Sequence, residues 1–365
     1  MKDQKNYQVN YYVLNWIRGA CSIFVVFGHA RFFYPGKDLS RSEEFSLLKL
    51  VLLTPTSLSM ESVAIFFLIS GFLVGGQIWR NVYSDTFQWK RFLVDRLTRL
   101  WIVLIPGLIL SGVAANLIKH NFNSLNFSTE DFSNIGCNLI FMMPTRCQPY
   151  ASNESLWTLG YEFYFYVLFA FSVMLFKKNS SLISKLLNTL GIAAVLFVFS
   201  IELLSLFFAW FMGYLVFMFS SKSKRSQIET SGSNLHILSI LLLIFGLVLS
   251  NTLIQSGKHV ILFISVLGSF AILLSTKFDT SQKKPRTVIT KLFDFLGRSS
   301  FSIYVFHLPV MQVSYFVLGD RLQSMEVLWI YSVSVSSIFV SAVLYFLFEK
   351  HTFRSRTIAY RILGI

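Results

Sequence analysis

Six side chains in this sequence join a reactive type to a setting that makes them costly: Arg18, His29, Arg96, Arg99, Glu162 and His307. Arg18 and His29 lie in a mostly apolar run at 11–33. On an α-helix their spacing puts them roughly 16 Å apart along the axis and only about 20° apart around it. A guanidinium and an imidazole on one stripe of a membrane helix are tolerated where the stripe faces a wet or polar cavity. The pattern reads as one wall of a path through the hydrocarbon. His29 is then placed to take a proton from a nucleophile or to accept a group itself.

Arg96 and Arg99 close a basic stretch at 80–99 and project from one side of a helix. They suit a phosphate fork, because a guanidinium binds phosphate oxygens in bidentate fashion. The same pair serves plain headgroup anchoring equally well. Glu162 sits well inside the apolar run at 156–176, where a carboxyl is a site residue or one half of an intramembrane ion pair. His307, two residues before Pro309, reads either as a hydrogen-bonded structural histidine or as part of the same chemistry.

The elements that must carry these groups are membrane helices. At 365 residues, 54% hydrophobic and 14% charged, the chain is too apolar for a soluble domain, and its 39 Phe suit lipid-facing surfaces. Apolar runs predict an all-α polytopic membrane protein of about ten transmembrane helices, at 11–33, 62–79, 97–117, 156–176, 182–199, 203–219, 235–254, 260–275, 300–318 and 327–348. The first reads as an uncleaved signal anchor. With both termini cytoplasmic, the inward segments hold most of the 32 Lys and Arg. The net charge of +14 thereby finds its explanation in the positive-inside rule, with no nucleic acid needed.

The chain reads as a single membrane domain over 1–365 with no appended soluble domain. Outer loops lie at about 34–61 and 119–155, and cytoplasmic connectors at about 80–96, 220–234 and 277–298. A piece at 45–53 in the first outer loop reads as an interfacial helix. In the second, Cys137 and Cys147 are free to pair in an oxidising compartment, without the spacing deciding it. Gly71 and Gly75 stand at the small-xxx-small spacing of close helix packing.

Taken in order, these motifs resemble a known family. Arg18 with His29, the run from Phe67 to Phe72, Arg96-x-x-Arg99 followed by Leu100-Trp101, the stretch from Ser155 to Glu162, the stretch from Gly297 to His307 and the terminal Glu349 are similar to those of the acyltransferase-3 family of bacterial membrane acyltransferases. Within it the closest functional class is the O-acetyltransferases of O-antigen, capsule and exopolysaccharide. Asn15 stands where relatives usually carry Asp, and Ile102 to Pro106 lacks the Pro common directly after the Arg-Leu-Trp run.

The resemblance implies transfer of an acyl group, most commonly acetyl, from cytosolic acyl-CoA to a hydroxyl of a cell-surface or lipid-linked glycan, in a bacterial inner membrane and without a metal. His29 and Arg18 match the family's essential first-helix pair, and Arg96 and Arg99 its essential third-helix pair; the chemistry that fits gives donor binding to Arg96, Arg99 and Arg18, catalysis to His29 with Glu162 orienting its imidazole, and contact with the substrate's developing oxyanion to Tyr304 or His307. The partners are then acyl-CoA, the glycan and membrane lipid, and a homo-oligomer is compatible with this. The rival reading is a transporter or flippase of a lipid-linked sugar or small acid, in which the same charges form a relay without covalent chemistry.

Overall fold

In a computed structural model of the chain, the described residues are 11–34, 47–121, 132–143, 145–178, 180–198, 202–222, 264, 266–268, 287–322 and 325–365. They form an all-α membrane protein, with no strand among them. Six helices are long and apolar enough to cross a membrane, and shorter apolar helices run over Leu182–Val198 and Leu206–Ser220. The predicted span at 235–254 and nearly all of that at 260–275 lie outside the described residues, as does the connector at 223–234.

The first span is α1 (Tyr11–Phe32). A short α2 (Leu47–Leu53) follows in the first loop, where an interfacial piece was expected. The second span is longer than its apolar run. It consists of α3 (Ser59–Ser70), a π-helical turn (Gly71–Gly75) and α4 (Gly76–Tyr83). The third, α5 (Trp89–Asn121), also outruns its apolar core and takes in residues 89–96 of the predicted connector. Its 33 residues reach roughly 50 Å at 1.5 Å per residue, well beyond a hydrocarbon layer of about 30 Å.

In the second loop α6 (Phe132–Leu139) carries one end of a Cys137–Cys147 disulfide. Asn138, fully buried, ties this loop together by donating to the Asn134 and Gln148 carbonyls and accepting from the Tyr150 N–H. Then come α7 (Trp157–Leu175), α8 (Leu182–Val198) and α9 (Glu202–Lys222).

The last block is α10 (Val288–Arg298), α11 (Ser300–Leu322), α12 (Glu326–Leu347) and α13 (Thr352–Leu363). α10 starts on a capping box in which Thr287 and Thr290 exchange backbone and hydroxyl bonds. The tail expected to be merely basic is helical and docks on α5. Asp95 forms an ion pair with Arg356 at 3.1 Å and accepts from the Tyr360 hydroxyl at 2.5 Å, and Arg91 lies over the Tyr360 ring.

Two crossings fix the site's frame. α1 packs against α10, α11, α12 and α3. α3 meets α9 backbone to backbone: a Cβ on Gly71 would strike the Trp210 carbonyl, and one on Gly213 would strike the Leu68 carbonyl. Gly71 and Gly75 both face α9, as the small-residue spacing predicts.

Gly71→Ala should therefore cost roughly 1–3 kcal/mol of overpacking or more and lower the melting temperature in detergent. Gly136→Ala, where a Cβ meets nothing within 4 Å, should leave it unchanged. Equal melting curves for the two variants would contradict the α3–α9 contact.

Candidate active site

Between α1, α3, α5, α7 and α11 lies a cavity of about 90 Å³, enough for several waters. Arg18, Ser70, Arg99, Glu162, Tyr166 and Tyr304 are among its polar lining, with Thr158 and Ser300, and Phe66, Leu73, Val74 and Leu100 among its apolar walls. Positions that are scattered from 18 to 304 thus share one chamber.

Glu162 is the best anchored of them. Its Oε1 accepts from Ser70 Oγ at 3.0 Å and in a short bond from the Tyr166 hydroxyl, one turn along α7. Ser70 in turn accepts from the Trp210 indole N–H at 3.3 Å. Ser70 is the last residue before the π turn, a distortion that often accompanies functional sites. Among the described residues no hydrogen bond joins Glu162 to His29.

The two third-helix arginines have different surroundings. Arg99 lines the cavity and lies in the electrostatic reach of Arg18 and Glu349. Arg96 does not line it. Its guanidinium is buried, donates to Gln77 Oε1 at 2.7 Å and lies 5.5 Å from the Tyr166 ring centroid and 5.9 Å from that of Phe92. Its Nε finds no hydrogen-bond partner. The fork expected from the spacing is split: one arginine meets the chamber and the other backs the tyrosine that holds Glu162.

Glu349, which sequence reasoning noted only as part of a motif, belongs to this group. It opens the short turn after α12, and its Oε2 accepts from both the Ser302 N–H at 2.9 Å and the Ser302 hydroxyl at 2.7 Å. Arg18 is thereby balanced by Glu349 and Glu162 against Arg99. Tyr166 was within reach of sequence reasoning, because four residues separate it from Glu162. Ser70, Gln77 and Glu349 come from distant stretches and gave no such signal.

Tyr304 connects the chamber to the histidines. Its hydroxyl is hydrogen-bonded to Thr158 Oγ1 at 3.0 Å, and its ring lies 6.1 Å from that of His307. His307 is wholly buried and its Nε2 is 3.0 Å from His29 Nδ1. His29 itself is half-buried and does not line the chamber. Pro309, which has no N–H, leaves the Val305 carbonyl without its helical donor. Asn153 Nδ2 fills that place at 3.1 Å and also reaches Ser111 Oγ. Just ahead of Asn153, Ala151 and Ser152 are both left-handed, at φ 52° and 56°, and both carbonyls accept from Gln312 Nε2.

A family model described as an acyltransferase domain matches residues 11–346. The chain belongs to the acyltransferase-3 family. Over 121 residues, 32% of this chain, it is 26% identical to an uncharacterized protein of Haemophilus influenzae. The chain spans about half the length of that curated relative, with 49% of it covered. No solved structure matches.

Asn15, the departure that the resemblance picked out, has a local account. Asn15 Nδ2 donates to Asp294 Oδ1 at 3.0 Å, and Asp294 pairs with Arg298 at 2.8 Å. A carboxylate at position 15 would face that of Asp294. Asn15→Asp should therefore destabilise the α1–α10 contact by about 1–3 kcal/mol, and adding Asp294→Asn should restore most of the loss. Additive losses in that double-variant cycle, read by thermal unfolding, would show that the pair is not coupled.

Proposed function

We propose that this protein is an integral-membrane acyltransferase that moves an acyl group, most commonly acetyl, from cytosolic acyl-CoA to a hydroxyl of a cell-surface or lipid-linked glycan. The observation that carries the reading is the run of side chains from the Arg18, Arg99 and Glu349 cluster, through the Glu162 chamber and Tyr304, to the His29–His307 pair. A donor that arrives as a phosphorylated thioester and an acceptor that never enters the cytosol need such a route, because the reacting carbon has to cross part of the hydrocarbon.

In this reading Arg99 and Arg18 take the anionic end of the donor, with guanidinium groups to match phosphate oxygens. Arg96 acts from behind, keeping Tyr166 and hence Glu162 in place. The acyl end lies along the apolar wall of the chamber towards Tyr304. The acceptor hydroxyl then attacks the thioester carbonyl carbon while His29 removes its proton; the C–S bond breaks, and the CoA thiolate takes up that proton. A route through an acylated His29 has the same balance in two steps. Family membership and the placement of His29 beside the chamber support this reading over passage of an unmodified solute.

The test is release of free CoA by the purified protein in nanodiscs, with labelled acetyl followed onto a panel of bacterial glycans. His29→Ala should lower turnover roughly 10²- to 10⁴-fold, the range for loss of a general base. Arg99→Ala should chiefly raise donor KM, by on the order of 10- to 100-fold for one lost charged hydrogen bond at about 1.5–3 kcal/mol. Arg96→Ala should lower kcat with less effect on KM. No donor binding and no CoA release with any acyl chain would instead favour transport.

A further inference from the structure

We propose that His307 is a positioning residue that fixes which nitrogen of His29 carries the hydrogen, so that His29 presents a bare Nε2 to the acceptor. The consequence for turnover rests on the acyl-transfer reading above; the assignment itself does not.

The argument is one of donors and acceptors. His307 Nδ1 lies 3.0 Å from the Ile303 carbonyl oxygen, one turn back on α11. A carbonyl only accepts, so that nitrogen carries a hydrogen. With the ring neutral, His307 Nε2 is then unprotonated, and it lies 3.0 Å from His29 Nδ1. The hydrogen between the two rings therefore belongs to His29 Nδ1, which donates it to His307. The reverse order would set a lone pair on His307 Nδ1 against the lone pairs of Ile303 O. Turning the His307 ring over would put carbon at both positions and lose both bonds.

His307 Nε2 thus asks His29 for a hydrogen at Nδ1. A neutral imidazole protonated on Nδ1 keeps its lone pair on Nε2, the nitrogen at the far end of the ring from the backbone. That is the arrangement a base needs: one nitrogen held by the protein and the other open to take a proton.

The pair also differs from the relay of the rival transport reading, because the hydrogen bonds end on a backbone carbonyl. His307 cannot pass its Nδ1 hydrogen to Ile303 O, so proton traffic through the pair stops at His307. Its role is orientation.

The experiment uses full-length protein labelled with ¹⁵N-histidine in nanodiscs, with the His29 signals identified by their loss in His29→Gln. The wild type should show His29 protonated on Nδ1 and bare on Nε2, a result that is independent of any substrate. His307→Leu should move the His29 Nδ1 signal and lower kcat roughly 10- to 100-fold while leaving donor KM near its wild-type value, on the scale of partial loss of general-base catalysis. His307→Gln, which can offer an amide oxygen at the reach of Nε2, should return kcat to within a few-fold.

A wild-type His29 protonated on Nε2, or a His307→Leu protein with an unchanged His29 signal and unchanged kcat, would overturn the proposal. If acyl transfer itself is wrong, the wild type releases no CoA with any donor while the nitrogen shifts still report the tautomer. The two failures therefore look different.

Discussion

Charge held inside hydrocarbon is the constraint on which this structure depends. Arg18 and Arg99 face the chamber, and neither is affordable there without carboxylates nearby. Glu349 and Glu162 supply them, and each of these carboxylates is itself fixed by donors: Ser302 through its N–H and hydroxyl for Glu349, and Ser70 and Tyr166 for Glu162. The helices are arranged to bring those donors together. The π turn after Ser70, the turn that ends α12 at Glu349 and the close α3–α9 crossing all serve a balance of charge that no single helix could hold.

The same logic divides the site by chemistry. At one end the guanidinium groups of Arg18 and Arg99 face the chamber and suit an anion. At the other, two imidazoles and a backbone carbonyl form a chain of hydrogen bonds without a carboxylate in it. Tyr304 stands between them with its hydroxyl engaged by Thr158.

Much of this was legible in the sequence, for reasons that can be named. Arg18 and His29 are conspicuous because each breaks an apolar run, and Glu162 for the same reason. Their helical spacing gives a shared stripe directly. Six of the expected spans appear as long apolar helices, since length and hydropathy are properties of each segment alone. What could not be read is what depends on partners far away in sequence. Arg96 and Arg99 look equivalent three residues apart, yet only Gln77 and Tyr166 reveal that one of them is turned away from the chamber. Asn15 looks like a defect in a motif until Asp294 is seen opposite. Likewise His307 gives no hint of its tautomer until the Ile303 carbonyl and His29 are found on its two nitrogens.

The α3–α9 crossing has a consequence for how this protein can change. Where two side chains touch, a loss on one helix can be repaired by a gain on the other. Gly71 and Gly213 touch main-chain carbonyls instead, and a carbonyl is present whatever residue carries it. No second-site suppressor at Trp210 or Leu68 can make room, because the atoms in the way are not encoded by those codons. Such a contact is locked one position at a time, and the route to a different spacing there is to move a whole helix.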